Sequence, residues 1–138
     1  MTDVDELALR FSAASQAGDA DGLAAVLAPT VLLWHNFDDE PRPVPGIGLA
    51  RVVTEEAARA RAALTDYLRV DEPPVVGASS FVVTRTVTGT TAEGRPVRLP
   101  QLTVCHVEDG RVTRLDAWYD REQARELVAL VAPGATAG

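Results

Sequence analysis

The sequence predicts an α+β fold with a mainly antiparallel sheet, on three observations. Apolar residues recur every three or four positions through the first half of the chain, and from residue 74 onward they recur every second position. Two turn sequences then separate the last three alternating runs. Helices first and a strand meander afterwards is the order expected when helices pack on one face of an antiparallel sheet.

Each element carries its own signal. Val4, Leu7, Ala8, Phe11 and Ala14 mark one face of a helix over residues 3–17, which "AGDADG" ends. A shorter helix follows, with Leu23, Val26 and Leu27 inward and Pro29 beyond its end. "TVLLWHN" is short, rich in β-branched and aromatic residues and apolar on both faces, as a covered strand would be, and places residues 31–35 in that strand. The loop "DDEPRPVPG" carries three prolines and is expected to be irregular. Leu49, Val52, Val53, Ala57, Ala60, Leu64, Tyr67 and Leu68 step by three and four, predicting one long helix that "DEPP" terminates.

"PVVGA", "SFVVTRTVTGT", "RPVRLPQLTVCHV" and "RVTRLDAWYD" read as four strands, with "TAEGR" and "EDG" as the turns between the last three. Asp120 is placed to cap a closing helix, with Gln123 three residues on, and Ala124, Leu127, Val128 and Val131 give that helix an apolar stripe. No internal repeat or linker interrupts residues 1–138, which read as one domain.

Composition limits the function. A chain of 138 residues that is 46% hydrophobic can close a single core. With 20 acidic against 13 basic residues and a net charge of −7, it offers no basic face to a phosphate backbone, so no nucleic-acid partner is expected. "MTDVDELALR" has acids where a signal peptide needs a basic region and an apolar core, and no apolar run approaches about 18 residues. The expectation is a soluble, cytoplasmic protein with no membrane partner. Cys105, the one cysteine, cannot form an internal disulfide, and the two separated histidines make no zinc pattern, so neither metal nor cofactor is expected. "GIGLAR" does not complete a dinucleotide fingerprint, and "GASSF" lacks the spacing of a nucleophile elbow.

"RFSAASQAGDADGLAAVLAPTVLLWHN" resembles the opening of the nuclear transport factor 2-like superfamily, where two helices joined by an A-G-D-x-D-G turn lead into the first strand. "VTGTTAEGRPVRLPQLTVCHVEDGRVTRLDAWYD" resembles its closing meander. The superfamily includes ketosteroid isomerases, limonene-epoxide hydrolases and SnoaL-type polyketide cyclases. The resemblance implies a cone-shaped α+β barrel: a curved, mainly antiparallel sheet wrapped around helices, with an internal apolar pocket. It fixes the fold and leaves the chemistry open.

Counted forward from the A-G-D-x-D-G turn, His35 falls where ketosteroid isomerases hold the carboxylate that shuttles a proton. Histidine suits that task, since its ordinary pKa of about 6.5 lets it take and return a proton near neutrality. The isomerase's oxyanion-stabilising tyrosine falls on Phe11, which has no hydroxyl, and its partner acid falls near Thr103. The Arg-Asp pair of the epoxide hydrolases meets Asp116 and Ala117 instead. A SnoaL-type acid-base role for His35 requires neither group.

If the resemblance fixes Thr103 inward, strand alternation places Gln101 and Cys105 beside it, Leu115, Ala117 and Tyr119 inward on the last strand, and Val31, Leu33 and His35 on one face of the first. With Phe11 and Asn36 these residues form the expected substrate-binding set. His106, Arg114, Asp116 and Trp118 fall on the opposite face, with Leu102, Val104 and Val112, where a homodimer is expected to bury apolar surface.

Each candidate also has a purely structural reading. His35 is either a hydrogen-bonded strand end or a proton-transfer base; Asn36 caps the strand-to-loop turn or binds ligand; Cys105 is a small core residue or a nucleophile. Asp38, Asp39 and Glu40 form a solvated loop or a pocket mouth, and Tyr119 either lends its hydroxyl to a ligand or satisfies it internally. Two classes of function follow. One is a cofactor-free isomerase, cyclase or lyase acting on a hydrophobic small molecule with His35 as base. The other is a non-catalytic dimeric module that binds a ligand or another protein.

Overall fold

The computed structural model describes residues 3–131. Within that span the elements run α1 (Val4–Ala17), α2 (Ala20–Val26), β1 (Leu27–His35), β2 (Arg42–Pro45), α3 (Gly46–Ala63), β3 (Thr65–Asp71), β4 (Val75–Val76), β5 (Ser80–Thr90), β6 (Pro96–Glu108), β7 (Arg111–Tyr119) and α4 (Arg121–Val131).

The "AGDADG" turn has a local cause at each end. Gly18 closes α1 in the left-handed region at φ 67°, a conformation that costs a glycine little. Asp19 then caps α2 by accepting the Gly22 N–H at 2.9 Å, and a side chain at Gly22 would collide with that same carboxylate.

The strands pair in the order β2-β1-β7-β6-β5-β3, with β4 beside β5. Every pairing is antiparallel except β1 with β7. The sheet curves without closing, so β2 and β3 are its edges, and α3 joins one edge to the other. A helix of 18 residues reaches about 27 Å, enough to bridge a curved sheet of this width. Helix α1 packs on β5 and α2, and α3 packs on α2, β1, β2, β3 and α4. The core lies between them: Leu7, Ala8, Leu23, Val26, Leu27, Val31, Phe81, Cys105 and Val112 are almost fully withdrawn from water, and Phe11 meets Phe81 edge to face at 5.5 Å. Among the described residues no helix is long and apolar enough to cross a membrane.

Five details depart from the sequence reading. Leu27 ends α2 and opens β1, taking an extended conformation and pairing with Val112. The proline-rich loop is not irregular throughout: Arg42–Pro45 forms β2, an edge position where a proline's missing N–H costs no ladder bond. Helix α3 ends at Ala63, well before "DEPP". Leu64 turns extended, Asp66 takes φ 55°, and Thr65–Asp71 becomes the edge strand β3. Its alternation is clear in space, with Leu68 and Val70 outward and Tyr67, Arg69 and Asp71 inward. Val112 points into the core rather than outward, because β7 carries an extra residue. His106 pairs with Arg114 but Val107 with Val112, so Thr113 bulges and the faces switch. Of "PVVGA" only Val75–Val76 is strand.

At the carboxyl end Asp120 caps α4 by accepting the N–H groups of Glu122 and Gln123. Ala124 is buried, whereas Val128 is exposed rather than part of an inner stripe; the side chains of Leu127 and Val131 lie outside the described residues.

Candidate functional site

Strand register builds the site. Asp71 on β3 stands opposite Arg85 on β5, Arg85 opposite Gln101 on β6, and Gln101 opposite Tyr119 on β7. Adjacent strands are about 4.8 Å apart, so these four side chains form one polar row across the inner face of the sheet. The neighbouring row runs Val83, Thr103, Ala117 and His35, across β5, β6, β7 and β1. Helix α3 presents Leu49, Val53, Glu56 and Ala60 to this face, and Phe11, Ser12 and Ser15 of α1 complete the enclosure of a cavity of about 200 Å³.

One arginine of the cavity wall is held by protein partners. Arg69 forks Asp71 at 2.7 and 2.9 Å and donates to the Ser15 carbonyl and hydroxyl at 3.1 and 2.9 Å. Arg85 forms no ion pair with any carboxylate among the described residues. Burial first, then repulsion from Arg69, pull its pKa below the ordinary arginine value, with Tyr119 and Asp71 opposing. Burial raises the Tyr119 pKa, with Arg85 opposing, so the phenol keeps its proton and remains a donor. Gln101 donates to the Thr103 hydroxyl at 3.2 Å.

His35 ends β1 beside the polar row. Its Nδ1 lies 3.1 Å from Asp38 Oδ2, and the same oxygen accepts the His35 backbone N–H at 2.9 Å. That backbone bond is the first cause of a lowered Asp38 pKa, with the imidazole and Arg42 adding to it. The resulting carboxylate can only accept, so in the neutral ring it selects the tautomer protonated on Nδ1, with the lone pair on Nε2. The ring stacks on Phe37 at 5.2 Å and on Tyr119 at 6.1 Å, which fixes its plane.

Glu56 sits on the inner stripe of α3. Burial raises its pKa despite the opposing charges of His35, Arg59 and Arg85. A carboxyl so placed binds and releases its proton nearer neutrality than an ordinary glutamate. Among the described residues no three His, Cys, Asp or Glu side chains converge as a metal-binding set.

Seven expected residues line the cavity together: Phe11, Leu33, His35, Gln101, Thr103, Leu115 and Tyr119. Two do not. Asn36 turns away to clamp the backbone of Tyr119, donating from Nδ2 to its carbonyl at 2.8 Å and accepting its N–H on Oδ1 at 3.1 Å. Cys105 is sealed in the core opposite Phe81, and burial, reinforced by the charge of Asp116, pushes its thiol pKa far up.

Sequence reasoning missed Glu56, Tyr67, Arg69, Asp71 and Arg85. For Arg85 a signal was present: Phe81, Val83, Arg85 and Val87 share one strand face, and a cation among inward apolar positions marks a pocket. Glu56 likewise interrupts the apolar spacing of Leu49, Val53 and Ala60. Tyr67, Arg69 and Asp71 were hidden by the helical reading of their segment.

A curved, unclosed sheet packed with helices around a cavity is the arrangement of the nuclear transport factor 2-like class, whose members have a cone-shaped α+β fold. Residues 8–115 match the SnoaL-like domain, and the chain belongs to that family. Similar solved structures include a nuclear transport factor 2-like protein of unknown function from Burkholderia pseudomallei K96243, at 19% identity and TM-score 0.64, covering 96% of this chain and 99% of that one. A putative SnoaL-like polyketide cyclase from Jannaschia sp. CCS1 is 20% identical with TM-score 0.63, covering 93% and 91% respectively. An epoxide hydrolase of the limonene-epoxide hydrolase-like type from M. tuberculosis is 20% identical with TM-score 0.61, covering 94% and 96%. At such identities the likeness is one of fold. No curated protein matches the chain.

Proposed function

We propose that the chain binds a compact, largely apolar small molecule in the cavity and moves a proton on it without a cofactor, His35 serving as base. The observation that carries this reading is the His35–Asp38 pair at the cavity wall, since a carboxylate on Nδ1 leaves Nε2 free to accept. A substrate C–H beside a carbonyl would give its proton to Nε2 while the electron pair moves onto the carbonyl oxygen. Tyr119 and Gln101 stand in one row to donate to that oxygen. Return of the proton to another carbon gives isomerisation; attack of the enolate on a second carbonyl gives cyclisation; expulsion of a β-substituent gives the lyase reaction. Glu56, with its raised pKa, supplies a second proton carrier from the α3 side.

The experiment is His35→Gln, assayed on substrates found by screening small ketones and aldehydes. Turnover is expected to fall about 10²- to 10⁴-fold while binding and melting temperature stay near wild type. Unchanged turnover per folded molecule refutes the role and favours a binding module.

A second copy of the chain is proposed to cover the outer sheet face. Trp118 is 47% exposed and Leu102 38% there, and Trp34 braces Trp118 edge to face at 4.9 Å.

A further inference from the structure

Arg85 is a buried cation of the cavity that forms no ion pair with a carboxylate among the described residues. Three other titratable groups face it, and none forms an ion pair with it. Asp71, directly across the β3–β5 pair, gives both oxygens to Arg69. Arg69 itself repels Arg85. Glu56, across the cavity on α3, makes no ion pair with Arg85, and its burial favours the protonated form. A guanidinium offers five N–H donors in a planar fork and does not shed its charge in proteins. Holding such a group on the inner face of a central strand, flanked by Val83 and Val87 on the same face, is costly unless an anion completes it.

The register says where the anion would sit. Arg85 stands between Asp71 and Gln101 in the polar row, with Tyr119 beyond Gln101. The Gln101 amide and the Tyr119 phenol therefore flank the guanidinium on the side away from Asp71, toward His35. The walls beyond are apolar, formed by Leu33, Leu49, Val53, Leu99 and Leu115.

We propose that the cavity's ligand carries a carboxylate, forked by Arg85, with its apolar part against the leucine and valine walls. The inference rests on the reading that the cavity takes a small molecule, and narrows that molecule to an amphipathic carboxylic acid. The acid group is held at Arg85, apart from His35, so the proton moved by His35 comes from elsewhere on the same molecule.

Octanoate and octanamide, equal in shape and different in charge, are the probes, with binding measured by calorimetry at pH 7. Wild type is expected to prefer octanoate by roughly 10- to 100-fold, the range for a charge-assisted pair over a neutral one. Arg85→Gln should remove that preference while octanamide binding persists, and Arg85→Lys, keeping the charge without the fork, should retain part of it. His35→Gln should leave the preference intact. Equal binding of the two probes by wild type overturns the inference, as does a preference that survives Arg85→Gln, or failure of octanoate to bind. None of these results bears on His35 as base, which is read from turnover.

Discussion

Replacing Asn36 by alanine tests how the end of β1 is tied to the end of β7, and through it how Tyr119 is aimed. Asn36 makes two hydrogen bonds to the Tyr119 backbone, at 2.8 and 3.1 Å, while its own N–H donates separately to the Ala117 carbonyl at 3.0 Å. The last bond survives the substitution; the first two do not. Each lost bond costs about 1 kcal/mol, and up to about 3 kcal/mol where the orphaned Tyr119 group stays out of water, so Asn36→Ala is expected to lose about 2–4 kcal/mol. In a chain of this size that is on the order of 10 °C in Tm. Urea unfolding followed by tryptophan fluorescence would measure it, with an unchanged slope showing that the shift is one of stability. Asn36→Asp keeps the oxygen that accepts the Tyr119 N–H and should lose about half as much. A loss below about 0.5 kcal/mol for Asn36→Ala would refute the clamp, because it is the effect of an ordinary surface change.

Glu56→Gln should stabilise the protein at neutral and higher pH. Burial raises the Glu56 pKa in the folded state, so the stability it contributes is complete below its unfolded pKa and is lost as pH rises through the raised folded value. Glutamine abolishes that loss: melting curves should separate toward pH 8 and converge toward pH 4, and curves that stay parallel would contradict it. Cys105 should resist iodoacetamide in the folded protein and react only at the rate of unfolding, which mass spectrometry across a urea series would follow. Trp118→Lys should convert a dimer to a monomer in sedimentation while leaving the cavity intact; a wild-type monomer at tens of micromolar argues against the covered outer face.

Apart from β2 and β3, the order of elements was legible in the sequence because each signal is local. Asp19 and Gly18 write the α1–α2 turn in their own chemistry, Asp109 and Gly110 both take the positive φ that a two-residue hairpin needs, and Asp120 caps α4 from the adjacent residue. Once the family resemblance set Thr103 inward, the set Leu33, His35, Gln101, Thr103 and Tyr119 followed, since alternation along a strand is a two-residue rule.

Tertiary structure decided what depends on a distant partner. Leu64, Tyr67 and Leu68 satisfy a helical step, and only pairing with β5 turns Thr65–Asp71 into a strand that brings Arg69 and Asp71 to the cavity. The bulge at Thr113 is a mismatch between β6 and β7, so one chain segment could not reveal that Val112 is buried. For Asn36 the sequence allowed a cap of the strand-to-loop turn or a ligand contact, and only the structure shows that its partner, 83 residues away, is the backbone of Tyr119. Arg85 lies within a single strand, yet its lack of a carboxylate is a property of the whole cavity. Charge neutralisation is settled by what lies within a few ångströms in space, and the chain order of β3, β5, β6 and β7 does not contain that distance.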